Sequence, residues 1–303
     1  MKTGHAMEAS EKYNVRAVQR ALALLRAFLS HDGGMTAAEL GKQIELGPST
    51  VFRLLVTLES QGFAEQDPAT GKYRPGVSCL ELGSRFLKNN DLRSRAIAGL
   101  EELRNEFGET VHLTILQGNE VVYLEKLAGL HPIGFMSSRV GDRAPAHCTR
   151  VGKALLAHLT DEELLALYPT GKLTRHTEHT ITDMDSLRAA LAQVREQGFA
   201  IDQEEHELGV KCVAVPTFNH LGIVAAMSLS GPVERMDYHI SHEGLIERIQ
   251  RAAMEVSTQS GWGRGVDQLD APEPASRAER RSSRKQATAP AKGRRSHRVG
   301  SAG

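Results

Sequence analysis

The sequence predicts an α+β chain of two domains: a small helical head with a β-hairpin wing, a connecting helix, and a larger domain on an antiparallel sheet. Three observations carry this. From Thr36 to Leu58 (TAAELGKQIELGPSTVFRLLVTL) two short helical patterns flank a tight turn. Beyond residue 110 come alternating or apolar runs joined by short polar turns: Val111–Gln117 with Val121–Lys126, and Cys212–Phe218 with Gly222–Ser230. Such pairs read as antiparallel hairpins. Charge also segregates. The 37 Lys/Arg and 37 Asp/Glu cancel overall, yet residues 91–260 hold 24 acids against 16 bases, while residues 261–303 hold 10 bases against 4 acids. The acidic middle is a poor partner for a polyanion, and the flanks are not.

Residues 1–12 read as a flexible leader. Val15, Val18, Leu22, Leu25 and Leu29 recur at helical spacing, and that helix ends before Asp32-Gly33-Gly34. Thr36 with Glu39 three residues on forms a capping box for the next helix, which buries Leu40 and ends near Gln43. Gly47 and Pro48 suit the N-cap and first turn of a third helix, because proline's missing N–H is not needed there. Val51, Leu54, Leu55 and Leu58 face its core side and Gly62 stops it. Segments 63–65 and 72–74 flank the turn-rich Asp67-Pro68-Ala69-Thr70-Gly71, so a hairpin follows. Three helices and a hairpin make a winged helix-turn-helix.

Residues 77–89 predict a connecting helix, and Leu92–Phe107 another. After the first pair of strands comes a segment Ile133–Ser137, then helices at Val151–Leu159, Asp161–Leu167 and Asp183–Gln197. The second pair of strands precedes one helix around Ser241–Ser260. The expected partition is 13–76 for the head, 77–90 for the linker, 91–261 for the second domain and 262–303 for a disordered tail. Nine Lys/Arg between Arg277 and Arg298 face one acid, Glu279, and such a tail cannot bury enough apolar surface to fold alone.

Cys79, Cys148 and Cys212 are too scattered for a disulfide framework or zinc finger. With no apolar signal segment and no run of about 18 apolar residues, a soluble cytoplasmic protein without membrane contact is expected.

A helix-turn-helix presents its second helix to the DNA major groove. Ser49, Thr50 and Arg53 share its outward face, and arginine can grip guanine or phosphate while hydroxyls suit either. On the wing Lys72 and Arg74 alternate with Tyr73, so the cations share a face and the ring turns inward. Arg16 and Arg20, one turn apart, offer another phosphate contact. His147-Cys148 has the residue types of a thiol nucleophile, but sequence neighbours seldom face each other, and no catalytic residue is expected. Cys148, Asp202 and Cys212 are of ligand types that permit zinc, and His176-x-x-His179 and His239-x-x-His242 have helical ligand spacing in polar stretches. Neither set amounts to a metal site, and no cofactor is expected.

VRAVQRALALLRAFL, PSTVFRLLVTLESQGF and GKYRPG resemble the N-terminal domain of the IclR (isocitrate lyase regulator) family. GDRAPAHCTRVGKALLA, GFAIDQEEHELGVKCVAVP and AAMSLSGP resemble its second domain, so the likeness runs from about Asn14 to Gly261. It implies a transcriptional regulator, not an enzyme, with a GAF-like effector domain that binds a small carboxylic acid. It further implies a homodimer, or a homotetramer, on a palindromic operator. The family's pocket positions fall on Ile133, Met136, Arg150, Val151, Asp202, Cys212, Ser228 and Ser230. Their chemistry suits an acid: two hydroxyls on alternate strand positions to donate, an apolar wall from Ile133 and Met136, and Asp202 to accept from a ligand hydroxyl. The chain departs from the pattern at three places, one of them Gly47-Pro48 where proline followed by a polar residue is usual. Glu45 stands where the turn usually has glycine, which costs about 1 kcal/mol in a left-handed conformation. Arg150 stands where a small residue is usual; it can pair a ligand carboxylate, point to solvent or form an ordinary ion pair.

Overall fold

The computed structural model describes residues 14–31, 33–131 and 138–263. The leader, the expected strand Ile133–Ser137 and all but the first two tail residues lie outside them. The head consists of α1 (Arg16–Ala27), one 3-10 turn (Phe28–Ser30), α2 (Ala37–Gln43), α3 (Pro48–Ser60) and a hairpin of β1 (Ala64–Gln66) with β2 (Tyr73–Pro75). Its core gathers Leu24, Phe28, Met35, Leu40, Val51, Leu55 and Tyr73. Thr36 and Glu39 form the expected capping box on α2. Glu45 does adopt a left-handed conformation, φ 53°, so the turn holds the strain that a glycine would avoid. Met35 and Tyr73 exchange backbone hydrogen bonds of 2.9 and 2.7 Å, fastening the wing to the segment before α2.

Of the apolar stripe of α1 only Leu25 packs against the head core, and the rest faces outward. Val15, Val18, Leu22 and Leu29 are exposed, whereas Leu24, Ala27 and Phe28 point into the core. The following helix, α4 (Val77–Lys88), buries no side chain and exposes Val77, Leu80, Leu82 and Phe86. A lone twelve-residue helix is marginal in water, so these apolar faces call for cover.

The second domain is a six-stranded antiparallel sheet ordered β5-β4-β3-β8-β7-β6, made of β3 (Thr110–Gln117), β4 (Glu120–Leu127), β5 (Arg143–Pro145), β6 (Ala200–Gln203), β7 (Val210–Asn219) and β8 (Gly222–Pro232). One face carries Val111, Leu113, Val213, Val215, Met227 and Leu229 and packs on α5 (Asp91–Phe107) and α10 (Leu245–Gln259). The other carries small residues, Ala200, Ala214 and Ala226, beneath α6 (Arg150–Leu156), α7 (Asp161–Leu167) and α8 (Met184–Gln197). Small side chains there let α6 lie close to the strands. Gly152 brings α6 against the turn that precedes it: a Cβ would sit 2.1 Å from the Ala146 carbonyl oxygen, just past β5.

Three elements escape the sequence reading. β5 and β6 are edge strands of three and four residues, too short to show a period. The helix expected around Ser241–Ser260 is two helices, α9 (Val233–His242) and α10, broken where Gly244 takes φ 64°. Among the described residues no helix is long and apolar enough to cross a membrane.

Candidate functional site

Antiparallel register decides which polar side chains meet. Asp202 pairs with Cys212 across β6–β7, and Cys212 with Ser230 across β7–β8, so the three form one row on the α6 side of the sheet. One pair further along, Ser228 lies between Ala214 and His112. The two hydroxyls therefore share a face, as their alternate positions require.

Arg150 enters this row from above as the first residue of α6 and is only 4% exposed. Its Nη1 lies 2.9 Å from Asp202 Oδ2, and its Nη2 donates to Ser230 Oγ at 3.1 Å. Asp202 Oδ1 accepts the backbone N–H of Glu205 at 2.8 Å. The Nε of Arg150 is buried with no hydrogen-bond partner among the described residues. A cation at a helix N-terminus opposes the helix dipole by roughly 0.3–1 kcal/mol, so the Asp202 carboxylate is what makes this placement tolerable.

A cavity of about 80 Å³ opens beside the guanidinium, lined among others by Tyr123, Ser138, Thr149, Arg150, Asp202 and His206. His112 adjoins it, with Nε2 3.0 Å from Ser138 Oγ and Nδ1 3.5 Å from Ser228 Oγ. Burial, reinforced by the Arg150 and Lys126 charges, pushes the His112 imidazole well below its ordinary range, so it stays neutral. A larger, more open cavity of about 410 Å³ lies on the α8 side, where Lys153 pairs with Glu205. We place the site at the smaller one, because there the buried cation, the carboxylate and the serine converge.

Of the expected pocket residues, the structure brings Arg150, Asp202, Cys212 and Ser230 together and puts Ser228 next in line. Val151 goes elsewhere: fully buried, it packs in the apolar cluster under α6 and not on the cavity wall. Ile133 and Met136 lie outside the described residues. His112, Tyr123 and His206 were not singled out from sequence. His112 could have been, since a histidine at an inward position of a buried strand needs a polar neighbour.

The thiols are poor nucleophiles. Burial pushes both Cys148 and Cys212 up to about 12, with Asp202 and Glu205 adding to the effect at Cys148 and Asp202 at Cys212. The helical spacing read into His176 and His179 does not hold, because both lie in an irregular loop. His239 and His242 do share α9, but His239 Nδ1 meets Glu243 and His242 stacks on Tyr238.

On the head, Ser49 and Arg53 are exposed and Thr50 half-buried along the first turns of α3. Tyr73 is buried while Arg74 is exposed, so the wing alternates as expected, with Lys72 half-buried. Arg74 is already paired, Nη2 to Glu65 Oε1 at 3.0 Å. Arg16 is exposed and Arg20 half-buried at the start of α1.

Comparison with known proteins covers both halves. Residues 17–68 match the family model of the IclR helix-turn-helix domain, and residues 84–258 that of the bacterial transcriptional regulator IclR C-terminal domain. The chain is 40% identical over 250 residues to the HTH-type transcriptional regulator XynR of Escherichia coli K12, covering 82% of this chain and 98% of the relative. Among solved structures it resembles the Thermotoga maritima IclR (31% identity, TM-score 0.60, 81% of this chain and 98% of that one). It also resembles an IclR homolog from Microbacterium hydrocarbonoxydans complexed with 4-hydroxybenzoate (27% identity, TM-score 0.67, 80% and 98%).

Proposed function

The chain belongs to the IclR family of bacterial transcriptional regulators, and from that premise we propose that it changes its operator affinity when a small carboxylic acid enters the cavity beside Arg150. The observation that carries this reading is the buried guanidinium, with Nε unpartnered and one Nη on Ser230, at the wall of a cavity. A guanidinium has five N–H donors in a rigid fork suited to a carboxylate, and three are not spoken for by Asp202 and Ser230. Neutral His112, held between Ser228 and the lining residue Ser138, stands behind this wall. The cavity's 80 Å³ suits a compact acid, and the 4-hydroxybenzoate complex of a homolog supports an acidic ligand class.

In this reading 13–76 is a winged helix-turn-helix, 77–90 a linker and 91–261 a GAF-like effector domain. Ser49, Thr50 and Arg53 read base edges or phosphates, while Lys72, Arg74, Arg16 and Arg20 hold the backbone. Arg74 must give up Glu65 to do so. The exposed apolar faces of α1 and α4 support a dimer joined through head and linker, which presents two α3 helices to half-sites about one helical turn apart or a multiple of that. The genes controlled are of the catabolic kind that consume the acid. An effector shifts operator affinity only by its preference for one quaternary arrangement.

Fluorescence anisotropy with promoter DNA from beside its own gene tests the output end. Arg53→Ala should weaken binding by about 10- to 100-fold with the dimer intact. Unchanged operator binding with loss of the dimer would sink the proposal. Calorimetry with a panel of carboxylic acids tests the input end: Arg150→Gln should abolish binding, and equal affinity in this variant would remove Arg150 from the site.

A further inference from the structure

Behind the arginine cavity the fold assembles a second group that the regulatory reading does not use. His147, Cys148 and His176 each offer a ligand atom, and these atoms lie within 4.8 Å of one another. The first two sit in the turn between β5 and α6, and the third is brought over by the loop after α7. His147 and Cys148 are buried, while His176 is exposed to solvent. His147 Nε2 is 2.9 Å from the Thr174 carbonyl oxygen, which fixes the proton on Nε2 and leaves Nδ1 with its lone pair. A metal-binding histidine is ordinarily held this way, by a carbonyl on its other nitrogen.

We propose that His147, Cys148 and His176 form a zinc site, with three protein ligands and a water in the fourth position on the exposed His176 side. Two imidazoles and one thiolate are a borderline-soft set that matches a tetrahedral zinc ion; at metal–ligand distances of roughly 2.0–2.3 Å its ligand atoms stand about 3.3–3.8 Å apart, so atoms already within 4.8 Å of one another must close by no more than about 1.5 Å. Binding replaces the Cys148 S–H bond with an S–Zn bond and releases the proton to solvent. His206, its ring centroid 5.3 Å from that of His176, lines the arginine cavity on its other side. The site would thereby brace the loop that borders the cavity without sharing Arg150, Asp202 or Ser230.

The test uses the full chain, stripped with chelator and titrated with zinc and, separately, with cobalt as the spectroscopic probe. One zinc per chain should survive gel filtration, and cobalt should give a tetrahedral visible spectrum with a thiolate charge-transfer band in the near ultraviolet. Cys148→Ser should abolish that band. His176→Gln, an exposed position where folding is safe, should weaken zinc binding by on the order of tenfold or more, with the apo melting temperature unchanged. No retained metal, a charge-transfer band that persists in Cys148→Ser, or wild-type affinity in His176→Gln would each overturn the assignment. None of these readouts involves DNA or the carboxylic acid.

Discussion

Replacing Arg150 by methionine gives a prediction about stability as well as binding. The side chain is 4% exposed and the Asp202 beneath it 2%, so the substitution leaves a carboxylate buried with one backbone N–H as its remaining donor. Removing one partner of a buried pair typically costs about 3–5 kcal/mol. Relief of the unfavourable charge at the α6 N-terminus returns roughly 0.3–1 kcal/mol. The net loss of about 2–5 kcal/mol corresponds to a fall of roughly 4–20 °C in the effector-domain melting transition. Asp202→Asn alone strands the cation and should cost a similar amount. The double variant Arg150→Met/Asp202→Asn removes both charges and should recover at least half of the summed loss, measured by thermal unfolding at neutral pH. If the single Arg150→Met variant melts with the wild type, or the double variant loses the full sum, the pair is not the coupled buried unit described above.

Three further outcomes follow from the same geometry. Glu45→Gly relieves the φ 53° turn and should stabilise the head by about 0.5–1 kcal/mol, read from its unfolding transition; destabilisation would mean that the Glu45 side chain does something unseen. Gly152→Ala would place a methyl 2.1 Å from the Ala146 carbonyl oxygen and should shift α6, lowering the effector-domain melting temperature and carboxylate affinity together. The third concerns pH. His112 titrates well below its unfolded value near 6.5 because of burial, so its contribution is complete above that value and is lost as pH falls through the window below it. His147, His158 and His206, also lowered chiefly by burial, act in the same direction. Melting temperature should therefore drop between about pH 6.5 and 5, and less steeply in His112→Asn, with each group contributing at most about 1.4 kcal/mol per pH unit. An identical slope in the variant would refute the assignment.

Much of the head was legible because its signals are local. The Thr36–Glu39 capping box, Pro48 at the first turn of α3 and Gly62 past its end each act within four residues, and all appear where expected. Glu45 is a local signal too, and its left-handed backbone follows from where it stands in the turn. The stripe on α1 shows the limit. Its helical period was clear, but period alone does not say whether a stripe meets its own core or another surface, and Val15, Val18, Leu22 and Leu29 face outward.

The candidate site was legible in part of its membership and not in its arrangement. Sequence alone determined the two-domain α+β plan, the helix-turn-helix of the head and the family, because these rest on periodicity, caps and ordered motifs along the chain. Only the tertiary structure decided that Arg150 is an internal partner of Asp202 and Ser230, that Val151 turns into the core, and that His176 joins His147 and Cys148 while leaving His179 aside. Those contacts join residues 28 to 80 positions apart along the chain. The Arg150 contacts are set by strand register, which leaves no periodic trace in the sequence.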